Sequence, residues 1–135
     1  MTTIDNSIES LRPEVQPAAR IFFHVTRDDL SIDTRCLETR RSRERQAELL
    51  VVGKSQLKVG FHNYGLALDF GVFVKGVYQT DDRSGLYTRC GYIAKALGWR
   101  WGGDWAKFKD FGHIEANTYT LAQLEAAIAQ GLVTT

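Results

Sequence analysis

Hydrophobic and polar positions along the chain repeat with two different periods. Leu11, Val15, Ala18 and Phe22 recur at intervals of four and three, the spacing of one helix face. Pro13 suits a first turn, whereas Pro17 removes an interior donor, so this helix is expected to start late or bend. Over residues 31–39 the period changes to two. Ile32, Thr34, Cys36 and Glu38 alternate with Asp33, Arg35 and Leu37, an imperfect strand pattern. A short helix follows, with Ser42 as its N-cap and Gly53 as its stop. The clearest strand runs from Leu66 to Val74: Leu66, Leu68, Phe70, Val72 and Val74 take one face, Ala67, Asp69, Gly71 and Phe73 the other. Lys75-Gly76 reads as a hairpin turn into Val77 and Tyr78. Leu86, Cys90, Ile93, Ala94 and Leu97 form a second helical stripe, closed by Gly98. An aromatic, glycine-rich stretch from Trp99 to His113 precedes a last helix. That helix opens on a Thr120–Gln123 capping box and stops at Gly131. The pattern predicts an α+β fold, a small, mainly antiparallel sheet backed by helices.

Composition narrows the class without naming a function. A chain of 135 residues fits one compact domain, and 44% apolar with 24% charged residues is ordinary globular usage. Seventeen Lys and Arg against sixteen Asp and Glu leave a formal charge of +1, which points to neither nucleic acid nor membrane. No apolar run is long enough to cross a bilayer. The first residues have neither a basic start nor an apolar core, so no secretory signal is expected. Cys36 and Cys90 fit reduced core residues better than a staple, although one bridge between them stays open.

The candidate chemistry lies with the histidines. His24 falls near the end of the first helix among apolar residues and reads as structural. His62 sits in a glycine-flanked turn, Gly60 to Gly65, entering the clearest strand; seven residues on, Asp69 projects from that strand. A carboxylate in an otherwise apolar strand is costly to bury without a cation or several donors. His113 occupies a similar turn, Asp110-Phe111-Gly112-His113. Two histidines and one carboxylate from separated turns are a familiar ligand set for catalytic zinc, with a fourth position left to water. Such water has its pKa lowered to about 7, and a neighbouring carboxylate can take its proton. Spacing alone leaves open a hydrogen-bonded His–Asp pair with no metal.

The segment Gly60-Phe61-His62-Asn63-Tyr64-Gly65-Leu66-Ala67-Leu68-Asp69 resembles the Ser-x-His-x-x-Gly-x-Ala-x-Asp signature of the zinc D-alanyl-D-alanine peptidase family. Asp110 to His113 is similar to that family's second motif, an acidic residue three positions before the last ligand. The Trp101-Gly102-Gly103-Asp104-Trp105 lead-in and His113-Ile114-Glu115 are similar to its L-alanyl-D-glutamate peptidase branch, found as phage endolysins. Arg41-Ser42 with Gln46 resembles its Arg-Thr/Ser-x-x-x-Gln segment. The resemblance spans roughly residues 11–130. It implies a hedgehog/D-alanyl-D-alanine-peptidase-like fold, a Zn2+ ion on His62, Asp69 and His113, Asp110 as catalytic base, and Arg41 on the substrate carbonyl or developing oxyanion. Gly60 replaces the family's serine, which removes a hydroxyl and bears on substrate specificity.

The function implied is a zinc metallopeptidase acting on the peptidoglycan stem peptide at the L-alanyl-D-glutamate bond. A D-alanyl-D-alanine carboxypeptidase is the alternative within the class. A non-catalytic wall-binding or phage structural domain would be expected to lose the base, yet Asp110 is present; a metal-free interaction module would be indifferent to chelator. Residues 1–135 are expected to form one catalytic domain without a wall-binding module, a monomer with no nucleic-acid or membrane partner. It would be held in the host cytoplasm until a separate pore releases it to the wall. Arg35, Arg40, Arg41, Arg43 and Arg45 make a local cationic patch, read either as a solvated face or as attraction for an anionic polymer. Trp99, Trp101, Trp105 and Phe108 read as core, with Trp101 or Trp105 a candidate cleft wall. Glu115 reads either as a partner of a ligand histidine or as a surface strand residue.

Overall fold

A computed structural model describes residues 2–55 and 59–132. The first helix, α1 (Gln16–His24), starts late as the prolines require, after a 3-10 turn at Pro13–Val15, and runs on into a wider turn at Val25–Asp29. Leu11, Val15 and Phe22 are buried as expected, but Ala19 rather than Ala18 completes the buried stripe. Phe23 is buried beside Phe22, and at about 100° per residue Ala19 lies nearer than Ala18 to the middle of the arc that Val15, Phe22 and Phe23 define. β1 (Asp33–Glu38) keeps its alternation as far as a bulge between Cys36 and Glu38. α2 (Arg43–Val51) is capped by the Ser42 hydroxyl, which accepts from the Arg45 N–H at 3.1 Å.

The central strand is β2 (Ala67–Val74), antiparallel to β1, to the short β3 (Val77–Tyr78) and to β5 (His113–Ala116). Lys75 and Gly76 both take positive φ, 49° and 78°, as a two-residue turn matched to strand twist requires. α3 (Leu86–Ala96) and α4 (Leu121–Ala129) complete the helices, and the predicted capping box between Thr120 and Gln123 is formed. The aromatic stretch contains a strand the periodicity did not show, β4 (Trp99–Trp101), paired antiparallel with β5. The sheet order is β1-β2-β5-β4, with β3 on β2.

Leu68, Phe70 and Val72 face the helices. Phe70 stacks edge-on to Phe22 of α1 at 5.0 Å and lies 5.6 Å from Tyr87 of α3. In α3 the buried residues are Tyr87, Cys90, Gly91 and Ala94, a stripe turned away from the expected Leu86 and Ile93, which are half-buried. Two contacts set that rotation. The Tyr87 hydroxyl accepts from the Val72 N–H and donates to the Gln79 carbonyl, and Gly91 leaves its missing Cβ to the Trp101 ring, which would lie 2.4 Å away. Both cysteines are free, and burial pushes both thiols up to about 12. With one face of β2 sealed by helices, Asp69 is left facing the other side, where the site lies.

Candidate metal centre

Three segments bring the site together. The turn Phe61–Tyr64 carries His62 and ends at Gly65, whose φ of +70° is a left-handed conformation suited to glycine. Asn63 fixes the turn: its Oδ1 accepts from the Gly60 N–H at 2.9 Å and its Nδ2 donates to the Arg41 carbonyl at 2.8 Å. β2 supplies Asp69 and β5 supplies His113, direct partners in the sheet register. Ligand atoms of His62, Asp69 and His113 all lie within 4.8 Å of one another. His62 Nε2 is 3.1 Å and His113 Nδ1 3.0 Å from the same oxygen, Asp69 Oδ1.

The far nitrogens show what this convergence suits. His62 Nδ1 lies 2.6 Å from the Thr39 carbonyl, an acceptor only, so that nitrogen carries the proton. His113 Nε2 is likewise anchored on the Glu115 carboxylate at 2.8 Å. In neutral imidazoles the nitrogens facing Asp69 therefore both present lone pairs toward a carboxylate, an arrangement that a cation relieves. Without one, a proton takes its place. Burial opposes a charge on His113, but hydrogen bonds and charges from Asp69 and Glu115 push its pKa up to about 10. Burial likewise opposes ionisation of Asp69, yet His62 and His113 hold its carboxyl far below the usual range. Two nitrogens and one oxygen, each oriented by a further partner, fit zinc with an open position.

Around the triad runs a cleft of about 580 Å³ lined by Arg41, Trp105, Asp110, Glu115 and the three candidate ligands. Asp110 stands at its mouth. Its backbone N–H donates to the Gly102 carbonyl at 3.1 Å, and a side chain at Gly102 would strike the Asp110 carbonyl at 2.3 Å, so glycine is required there. The Asp110 carboxyl is open to solvent yet set within a concave wall. Partial withdrawal from water, then the charge of Asp69, raise its pKa. Arg41 is nearly buried. Its Nη2 donates to Glu38 Oε1 at 2.9 Å and reaches Asp69 Oδ2 at 3.4 Å, and its Nη1 donates to Gln46 at 2.9 Å. Its Nε–H has no partner among the described residues.

The structure thus brings His62, Asp69, His113, Asp110 and Arg41 into one cleft, with Glu115 as a partner of a candidate ligand. The remaining candidates scatter. His24, expected among apolar side chains, is exposed and pairs with Asp28 at 2.7 Å. The five arginines do not act as one free patch: Arg35 pairs with Asp33, Arg40 donates to the Ser10 carbonyl, and Arg41 and Arg45 both pair with Glu38, while Arg40, Arg41 and Arg43 line one pocket. Trp99 and Trp101 are core, while Trp105 packs on His113 at 5.1 Å between ring centroids and forms the cleft wall. Sequence reasoning missed the part played by Glu38. The signal was partial: a carboxylate in the alternating run of β1 calls for a partner, but only the bulge after Cys36 turns Glu38 to the side of Asp69.

Residues 54–116 match the D-alanyl-D-alanine carboxypeptidase family. That span holds His62, Asp69, Asp110 and His113 but not Arg41. Over 117 residues the chain is 32% identical to an L-alanyl-D-glutamate peptidase of Listeria phage A118, covering 82% of this chain and 40% of that protein. Over 63 residues it is 40% identical to the peptidoglycan L-alanyl-D-glutamate endopeptidase CwlK of Bacillus subtilis (41% of this chain, 38% of CwlK). The matches therefore span about two fifths of these curated relatives. Among solved structures, the L-Ala D-Glu endopeptidase ChiX of Serratia marcescens superposes with a TM-score of 0.70 at 21% identity, covering 87% of this chain and 86% of ChiX. The vancomycin-resistance D,D-pentapeptidase VanY, solved with Zn(II), superposes at 0.58 and 15% identity, covering 91% and 80%. Both share the fold.

Proposed function

Because this chain belongs to the D-alanyl-D-alanine carboxypeptidase family, we propose that it is a zinc endopeptidase cleaving the L-alanyl-D-glutamate bond of peptidoglycan stems. The observation that carries this reading is the convergence of His62, Asp69 and His113, each held by a further partner, in a cleft that also contains Asp110. The names of the phage and Bacillus relatives support the choice of bond. That one such relative is a phage protein supports a role at the host cell wall; release through a separate pore is part of this proposal.

In this reading His62, Asp69 and His113 hold the zinc ion, which supplies Lewis acidity toward the scissile carbonyl and a water acidic enough to attack near neutral pH. Asp110 takes the proton from the attacking water and returns it to the leaving amine. Its raised pKa brings it closer to the groups with which it exchanges that proton. Arg41 brings a permanent positive charge to the cleft wall, where negative charge develops on the carbonyl oxygen. Glu115 keeps the His113 ring in the tautomer that presents Nδ1 to the ion.

The test is digestion of purified peptidoglycan with and without chelator, followed by mass analysis of released fragments. New amino-terminal D-glutamate, abolished by chelator, is the expected result. Free D-alanine would transfer the assignment to a carboxypeptidase, the activity in the family's own description. No release by protein holding zinc would overturn both.

A further inference from the structure

Residues 2–12, outside the matched span 54–116, run from α2 to the turn that carries His62 and are hydrogen-bonded at three points. Near its start this strap binds α2, where Thr2 Oγ1 donates to Glu48 at 2.7 Å. An Asx turn, the Ser7 N–H on Asp5 Oδ1 at 2.9 Å, then shapes residues 5–7. Two consecutive grips fall on Thr39: the Asp5 carbonyl accepts its N–H at 2.7 Å, and the Ser7 carbonyl accepts its hydroxyl at 2.7 Å. Thr39 is fully buried, and both its donors go to the strap. Its carbonyl is the acceptor 2.6 Å from His62 Nδ1. At the far end the strap holds the turn that carries His62, with the Arg12 N–H on the Gly65 carbonyl at 3.0 Å and Arg12 Nε on the Tyr64 carbonyl at 2.7 Å.

We propose that this strap is the positioning element of the metal ligand His62, acting through Thr39. A backbone carbonyl orients an imidazole only as firmly as its own residue is fixed. Thr39 follows a bulge, where the ladder of β1 has ended and no strand partner fixes it. The strap replaces the missing ladder. It locks Thr39, which holds the proton on His62 Nδ1 and turns Nε2 toward Asp69. Thr39 is a positioning residue: it touches neither the ion nor substrate. The inference rests on the reading of His62 as a metal ligand.

Zinc affinity, measured by competition with a chromophoric chelator, tests it without recourse to activity. Losing a partner of a ligand histidine costs about 10–100-fold in metal affinity, and Thr39→Val, which loosens that partner, is expected near the tenfold end. Thr39→Ser keeps the hydroxyl and is expected to stay within about twofold of the parent. Deletion of residues 2–7 is expected to weaken zinc at least as much as Thr39→Val. If Thr39→Val and the deletion are folded by circular dichroism and hold zinc as the parent does, the proposal is overturned; a lowered melting temperature alone would mark Thr39 as structural. The His62 Nδ1–H resonance gives a check on the unmodified protein, where slow exchange with solvent is expected and rapid exchange would also overturn the proposal. Should the parent bind no zinc, the metal reading falls instead, and ring-proton exchange in parent against deletion still decides the strap.

Discussion

Among single residues, Asp110 carries the sharpest claim, because it is in the cleft and outside the ligand set. Its neighbours constrain its backbone: the Gly102 carbonyl accepts its N–H, and its own carbonyl accepts from the His113 N–H at 3.2 Å. Asp110→Asn keeps the shape and these backbone bonds and removes only the ability to take a proton. Zinc content is therefore expected to be unchanged, and kcat to fall on the order of 10²–10⁴-fold, the usual worth of a positioned base. Metal analysis beside steady-state kinetics on a stem peptide reads both quantities. Parental turnover would remove Asp110 from this role, and loss of zinc would make it part of the ion's support. Gly60 belongs to this scale too: its N–H is used by Asn63, and it lines the cleft without the hydroxyl of the family's serine.

At the scale of elements, the bulge in β1 does what alternation alone does not foretell. It places Glu38 opposite Asp69 in the register of β1 on β2, two carboxylates that would repel across the sheet. Arg41 Nη2 sits on both, and Arg45 closes the other side of Glu38. Glu38→Gln would leave two guanidinium groups, 10% and 16% exposed, without their carboxylate. A loss of about 3 kcal/mol is expected, the low end for breaking a buried pair. Burial pushes the Glu38 carboxyl up, but hydrogen bonds from Arg45 and Arg41 prevail and hold it below the ordinary range. A depressed carboxyl contributes stability that is complete above the unfolded pKa of about 4.3 and is lost as pH falls through the lower folded value. Urea unfolding of chelated protein between about pH 3 and 7 is expected to show this acid loss in the parent and a flatter limb in Glu38→Gln. Identical limbs would exclude the pair as its source.

The same elements show what the sequence makes legible. β2 was plain because Leu66 to Val72 alternate without a break, and α4 because Thr120 and Gln123 announce its cap locally. β4 was hidden: three residues with tryptophan at both ends carry no readable period, and only pairing with β5 makes them a strand. His62, Asp69 and His113 were legible through motif spacing and through the cost of a carboxylate in an apolar strand. Thr39 and the strap were not, because the Thr39 hydroxyl and the Arg12 guanidinium act on backbone carbonyls 32 and 52 residues away, and His62 is met by the Thr39 carbonyl, which leaves no mark in side-chain identity.

Across the whole molecule, the candidate ligands bring to one point three segments that backbone hydrogen bonds already join, β5 to β2 in the sheet and the His62 turn to Leu66 just before β2. His62 comes from a turn held by the strap, Asp69 from the central strand, and His113 from a strand 44 residues further on. An ion at their convergence binds the folded chain and not the unfolded one, so it stabilises by RT ln(1 + [L]/Kd). At free zinc about 1,000 times Kd that amounts to roughly 4 kcal/mol. For a domain of this size such a gain corresponds to a melting shift on the order of 15 °C. Calorimetric scans of zinc-loaded and chelated protein are expected to differ by that order, with the low-temperature far-ultraviolet circular dichroism unchanged, because β2 and its helices have a core independent of the ion. A metal-free interaction module would melt at one temperature in both conditions. Collapse of the spectrum on chelation would instead make the ion a condition of folding, with the sheet unable to hold Asp69 beside His113 unaided.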